Sequence, residues 1–175
     1  MTADDVRRAL VRISHEIVEK HGSVEGLALV GIQRRGLPLA QRLAGLIENH
    51  ERRRPPVGGL DITFHRDDRQ RDARGPQLRG SDLPFNLEDS TVVVVDDVLF
   101  TGRTVRAAMD ALVEMGRPQA VRLAVLIDRG HRELPIRADH VGKNVPTARE
   151  ETIRVHVQEV DGGDDEVVIE RRNGG

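Results

Sequence analysis

The chain has 175 residues and a formal net charge of −2, with 38% hydrophobic and 32% charged residues, proportions typical of a globular chain long enough to bury a core. The absence of cysteine excludes a disulfide framework, a thiolate metal site and a cysteine nucleophile. No apolar run approaches the roughly 20 residues that cross a bilayer, and the start, Met1-Thr2-Ala3-Asp4-Asp5, has neither the basic nor the apolar stretch of a secretion signal, so a cytoplasmic protein without membrane association is expected. Phe64, Phe85 and Phe100 are the only Phe, Tyr or Trp residues, which argues against binding single strands by aromatic stacking. All basic residues but Lys20 and Lys143 are arginine. A guanidinium fork matches phosphate geometry, although a bias of genomic composition or adaptation to heat gives the same excess.

Val6, Leu10, Ile13 and Ile17 recur at helical spacing, with Thr2 or Asp4 available as N-cap and Gly22 as the stop. Leu27–Ile32 (LALVGI) reads as a buried strand, followed by a turn bounded by Gly31 and Gly36. Leu39, Leu43 and Leu46 or Ile47 mark a second helix, and 60–64 a strand. Residues 91–95 form a β-branched, wholly apolar strand, as in a parallel sheet covered on both faces. Val105, Ala108, Leu112 and Met115 predict a helix closed by Gly116 and Pro118. Residues 120–127 are another apolar strand, and 153–157 and 166–170 are shorter strands about a turn at 161–165. Strands alternating with helices, without repeat or composition break, predict an α/β fold with a doubly wound, mostly parallel sheet in one domain over 1–175.

Residues 65–89 fit no element. They are polar and hold Arg66, Arg69, Arg71, Arg74 and Arg79 with Gly75, Pro76, Gly80 and Pro84. Structureless stretches beyond about 12–15 residues are functional lids or disordered insertions. The arginines, and the position just before the strand at 91–95, favour a flexible lid over an anionic ligand.

The chemistry lies in 92–104, VVVVDDVLFTGRT. Ligands of open α/β sheets sit at the carboxyl ends of strands, which places Asp96, Asp97 and the following loop in the crevice. Backbone N–H groups and the hydroxyls of Thr101 and Thr104 can wrap a phosphate at a helix N-terminus, and Gly102 permits close approach. Two carboxylates suit a diol and can hold Mg²⁺ through water. A strand ending in two acids also resembles the second motif of a P-loop ATPase. That fold requires G-x-x-x-x-G-K-[ST], and the near match from Gly31 to Gly36 continues with Leu37-Pro38. The acceptor aspartate of a receiver domain would leave Thr101-Gly102-Arg103-Thr104 unexplained.

Taken whole, 92–104 resembles the phosphoribosyl pyrophosphate (PRPP) signature of the type I phosphoribosyltransferases, and 31–36 (GIQRRG) resembles their pyrophosphate loop. DRGHRELPIR at 128–137, DHVGKN at 139–144, LDITFHRDD at 60–68, GRTVRAAMDAL at 102–112 and GRPQAV at 116–121 extend the likeness over nearly the whole chain. They resemble the branch that joins uracil phosphoribosyltransferase activity to attenuation of bacterial pyrimidine operons. The resemblance implies a type I phosphoribosyltransferase fold with a small hood and a flexible lid. It implies conversion of uracil and PRPP to UMP and pyrophosphate, with Mg²⁺ held through PRPP and water near Asp96 and Asp97 and no direct protein ligands. It implies binding of leader mRNA of pyrimidine genes, dependent on UMP or UTP, and a homodimer or larger homo-oligomer. Asp96 and Asp97 then become the catalytic pair, and Arg34, Arg35, Val98, Leu99, Phe100, Thr101, Gly102, Arg103 and Thr104 bind PRPP. In that family a strained peptide in the pyrophosphate loop presents its N–H groups to the diphosphate. Ile127, Asp128, Arg129 and Val155 lie near the base. A purine or orotate phosphoribosyltransferase without regulatory role is the alternative, since it shares the PRPP loop; the segment 128–144 discriminates against it.

His15, Arg132, Arg137 and Lys143, with His131 beside them, are the implied RNA-binding residues. By composition alone they form an ordinary charged surface. His131 and His140 lack an organised third ligand and do not predict a metal site.

Overall fold

The structure, a computed structural model, describes residues 1–63 and 81–171. The N-terminal helix α1 (Ala3–His21) begins at a capping box: Thr2 Oγ1 accepts the Asp5 N–H at 3.2 Å and the Asp5 carboxylate accepts the Thr2 N–H at 2.9 Å. Such a cap stabilises a helix by about 1 kcal/mol. Gly22, at φ 92°, closes the helix. Val6, Leu10, Ile13 and Ile17 are all buried along one face, and truncating one of them to alanine costs roughly 2–5 kcal/mol.

Strand β1 (Leu27–Ile32), helix α2 (Gly36–Glu51), strands β2 (Val57–Leu60) and β3 (Thr91–Leu99), helix α3 (Arg103–Met115), and strands β4 (Ala120–Asp128) and β5 (His140–Asn144) follow. The five strands form one parallel sheet in the order β2-β1-β3-β4-β5. Alternation along each strand divides the continuous apolar runs between two faces. Leu27, Leu29, Val93, Val95 and Leu126 pack against α1 and α2. Val30, Ile32, Val92, Val94 and Val125 pack against α3. Helices therefore cover both faces, as expected of a doubly wound sheet.

Beyond the sheet, β6 (Glu151–His156) and β7 (Glu166–Arg171) pair antiparallel around the short helix α4 (Gln158–Asp161). This hairpin joins the same core as α1 and α2 through Ile153, Val155, Val157 and Val167. Arg42 of α2 fastens it from outside, donating to Glu159 at 2.8 Å and to Asp165 at 2.9 Å.

Two differences from the sequence reading have physical causes. The strand expected at 60–64 is Val57–Leu60. A β-carbon at Gly58 would meet Asp82 O at 2.8 Å, and Gly59 exchanges two backbone hydrogen bonds with Asp82 at 2.8 and 2.9 Å, so close backbone approach selects glycine where propensity disfavours a strand. The Asp61 carboxylate then accepts the Thr63 N–H at 2.9 Å and turns the chain. Strand β5 has no counterpart in the sequence reading, because HVGKN lacks an apolar alternation and forms the sheet edge. Of the stretch 65–89 expected as a lid, residues 81–89 are described: Asp82 bridges to β2 and Leu87 is buried in the core. The rest of the expected lid, up to residue 80, lies outside the described residues.

Candidate active site

The strand order changes direction between β1 and β3: β1 leads outward to β2, and β3 leads the other way to β4 and β5. The crevice of a doubly wound fold lies at such a point, and the loops after β1 and β3 meet there. A β-carbon at Gly31 would lie 2.3 Å from Leu37 Cα, and one at Gly36 would lie 2.3 Å from Val95 O. Only glycine lets the start of α2 rest on the end of β3. Between these glycines the Gln33–Arg34 peptide is cis. Arg34 is exposed. Arg35 points toward the small hood formed by β6, α4 and β7, donating to both oxygens of Asp161 at 3.0 and 2.7 Å. This bond, then the charge of Asp97, raises the Arg35 pKa, and the same bond holds Asp161 down at about 2.

In the second loop, Asp97 N–H donates to Asp96 Oδ1 and Val98 N–H to Asp97 Oδ1, both at 2.9 Å. Asp96 is 6% exposed, whereas Asp97 is half-buried. Gly102, at φ 93°, is the N-cap of α3 and gives it no side-chain bond. The N-terminus of α2 likewise has none. Thr101 Oγ1 accepts the Arg103 N–H at 3.3 Å, but neither helix that begins at the crevice has the capping box that closes α1, and the first N–H groups of such a helix start suit an anion. Thr101 and Thr104 are half-buried beside these groups. Leu99 is a core residue, so only its backbone is available to a ligand.

The segment 129–138 braces this loop. Thr101 O accepts the N–H groups of Glu133 and Leu134 at 2.9 and 3.1 Å, and Arg103 Nε donates to Glu133 at 2.8 Å. Arg132 donates to Phe100 O at 2.7 Å, to Ile136 O at 2.9 Å and to the Asp128 carboxylate. Arg129, 6% exposed, lies 4.0 Å from the centre of the Phe100 ring and donates to Thr147 Oγ1 at 3.0 Å and Glu151 O at 2.7 Å. Burial pushes its guanidinium pKa down. Phe100 itself is 39% exposed. Of the residues expected near a base, Asp128 and Arg129 stand at the end of β4, while Ile127 and Val155 are core side chains of one cluster. Among the described residues no group of three or more His, Asp or Glu side chains is placed to hold a metal ion.

The residues expected to meet RNA divide into two groups. His15 is exposed on α1 and stacks on His50 of α2, with ring centres 4.1 Å apart. Lys143 lines an open groove of about 380 Å³ between α1 and β5 with Arg8 and Arg12. Arg8, Arg12 and His15 recur at one-turn spacing, so the groove and the stack lie along one helix face. Arg137 is exposed two residues before Asp139, which accepts a bond from Lys20 of α1 at 2.6 Å. Arg132 stands apart from these, with its guanidinium engaged at the strand ends, and His131 Nε2 contacts Thr147 O. The sequence reading misses Asp161, which lies 126 residues from Arg35 and carries no local signal. It also misses Arg8 and Arg12, whose helical spacing with His15 is a signal that could have found them.

Residues 2–159 match the family model described as phosphoribosyl transferase domain. Among curated relatives, the "Bifunctional protein PyrR" of Roseiflexus sp. (strain RS-1) is 59% identical over 98% of this chain and 93% of its own length. The protein of that name from Thermus thermophilus is 58% identical over 99% and 96%. Among solved structures, hypoxanthine phosphoribosyltransferase from Trypanosoma cruzi with its product IMP superposes with a TM-score of 0.69 at 17% identity, over 98% of this chain and 88% of that one. No helix among the described residues is long and apolar enough to cross a membrane.

Proposed function

Because this chain belongs to the phosphoribosyltransferase family, we propose that it converts uracil and PRPP to UMP and pyrophosphate and, like the bifunctional relatives it resembles, regulates pyrimidine genes by binding their leader mRNA. One observation carries the catalytic half: the GIQRRG turn and the Asp96–Thr104 loop converge at the switch point of the sheet, each ending at a helix N-terminus without a capping box. That arrangement suits a ligand with phosphate at each end and a diol between. The likeness to the hypoxanthine enzyme, at 17% identity, speaks for the fold alone and does not favour a purine substrate.

Transfer at the anomeric carbon passes through an oxocarbenium-like state as pyrophosphate leaves, so the protein acts by positioning and electrostatics. Asp96 and Asp97 hold the ribose hydroxyls and favour the developing positive charge. The 5′-phosphate is wrapped by Thr101, Gly102 and Thr104 at the start of α3. The diphosphate lies against Arg34, Arg35 and the start of α2, and the end of β4 with Phe100 walls the base. Two carboxylates without a third protein ligand fit Mg²⁺ carried by the diphosphate and by water; when bound, the ion neutralises the leaving group. The exposed face of α1 with Lys143 and Arg137 meets RNA through phosphates and unstacked bases. We place all residues in one domain that works as a homodimer or larger assembly.

The test has two arms. Purified protein is supplied with PRPP, Mg²⁺ and uracil, hypoxanthine or orotate in turn, and UMP is the expected product. It is then titrated with pyrimidine leader RNA with and without UMP, where tighter binding with UMP is expected. Turnover of hypoxanthine but not uracil would overturn the substrate assignment. Failure to bind any pyrimidine leader would leave a salvage enzyme.

A further inference from the structure

The turn that closes α2 carries Arg52, Arg53 and Arg54 and is followed by Pro55-Pro56. Arg54 is engaged, donating to Glu48 and to Gln41 O, both at 3.3 Å. Glu51 meets His50 Nδ1 at 3.1 Å. Both nearby carboxylates are therefore matched, which leaves Arg52 and Arg53 exposed and without a partner among the described residues. On α1, by contrast, Arg7, Arg8 and Arg12 each meet a carboxylate. Arg52 also takes the left-handed conformation, φ 60° and ψ 16°, which costs an L-residue other than glycine or asparagine roughly 1 kcal/mol. Complementing the helix dipole does not explain the pair, because the Arg54 guanidinium already places a cation at this end.

This turn adjoins the face already assigned to RNA. His50 stacks on His15 with rings 21° apart, and its Nε2 lies 3.3 Å from Ser14 Oγ of α1. The Cα of Arg52, two residues on, lies within about 7 Å of that of His50. From the crevice, the 16 residues of α2 run about 24 Å to this turn. We propose that Arg52 and Arg53 grip phosphates of the leader RNA, extending its footprint from α1 across the His15–His50 stack to the end of α2. This contact rests on the RNA-binding reading above. It lies at the pole opposite the transferase site, so RNA held here leaves the crevice open.

The experiment compares wild type with the double variant Arg52→Gln, Arg53→Gln. Leader RNA and a scrambled RNA of equal length are titrated at several salt concentrations. Affinity of the double variant should fall by about tenfold at low salt, and the slope of log affinity against log salt should flatten by about one to two units. The loss should be equal for both RNAs, because phosphate contacts carry no sequence. The factor by which UMP tightens binding and the uracil turnover should be unchanged. Arg52→Gly separates recognition from folding: relief of the left-handed residue should hold or raise Tm while RNA affinity falls. Wild-type affinity and slope in the double variant would overturn the contact alone. A loss confined to the leader would overturn phosphate as its target. A wild type that binds neither RNA would remove the RNA reading itself.

Discussion

Arg35 and Asp161 join the first loop of the crevice to the hood through two parallel hydrogen bonds at 3.0 and 2.7 Å. A bidentate pair fixes a guanidinium more firmly than a single contact, so the hood sets where Arg35 stands before any diphosphate arrives. The Val157 N–H, at 2.9 Å, donates to the same carboxylate, at the Oδ2 that Arg35 Nε also reaches.

Asp161→Asn should therefore destabilise the fold by about 1 kcal/mol at pH 7. The Asp161 carboxyl is held at about 2 against an ordinary 3.8. Its contribution is complete above the unfolded value and is lost as pH falls from near 3.8 to about 2. Urea melts of wild type and variant should differ at pH 7 and converge by pH 2. A constant difference across that range would mean the pair does not carry it.

Asp97→Asn keeps the shape of the half-buried second acid and removes its charge. Uracil turnover should drop by at least about tenfold, or roughly 1.4 kcal/mol in the transition state. Full turnover in both Asp96→Asn and Asp97→Asn would mean that the ribose is held elsewhere.

Arg137→Ala should weaken leader-RNA binding by at least about tenfold, near 1.4 kcal/mol, and flatten the salt slope by about one unit. Uracil phosphoribosyltransferase activity should persist, since Arg137 lies outside the crevice. In wild type, UMP should tighten RNA binding, and linkage requires RNA to tighten UMP binding by the same factor. Paired titrations measure both. Unequal factors would mean that the two ligands do not share one equilibrium.

His140 is 3% exposed, and its Nε2 is buried without a hydrogen-bond partner among the described residues. Burial lowers its pKa below the ordinary 6.5, against the opposing pull of Asp139 and Glu16. Below about pH 6.5 the unfolded chain takes up this proton more readily than the native one, so stability should fall as pH drops from there. His140→Leu should flatten the stability profile between about pH 6.5 and 5. An unchanged profile in the variant would assign the acid sensitivity to other groups.

Much of the fold is legible in the sequence because two simple periods dominate it. The helical spacing of Val6, Leu10, Ile13 and Ile17 places all four side chains in the core. The valines from Val92 to Val95, read as a strand covered on both faces, alternate between the two hydrophobic clusters. The crevice loops are also legible, since glycines and paired acids at strand ends carry their meaning locally. Long-range polar contacts are not. Nothing near Arg132 in sequence tells that its guanidinium closes on Phe100 O, 32 residues away, in place of an open surface. Edge strand β5 escapes for a related reason: its pairing with β4 is set by topology, while its own residues are polar.

Both margins of the sheet are occupied. At one, Gly59 of β2 exchanges backbone hydrogen bonds with Asp82. At the other, the Arg12 guanidinium donates to Val141 O at 3.1 Å and Gly142 O at 2.6 Å of β5. Sheet margins left bare recruit strands from other molecules and lead to aggregation. Engaged in this way, the margins leave fewer backbone groups with which copies of this chain could extend the sheet end to end. Arg12 also belongs to the basic face of α1. A polyanion that drew Arg12 away would uncover the β5 margin, so colloidal behaviour at high concentration should respond to charge at that one position.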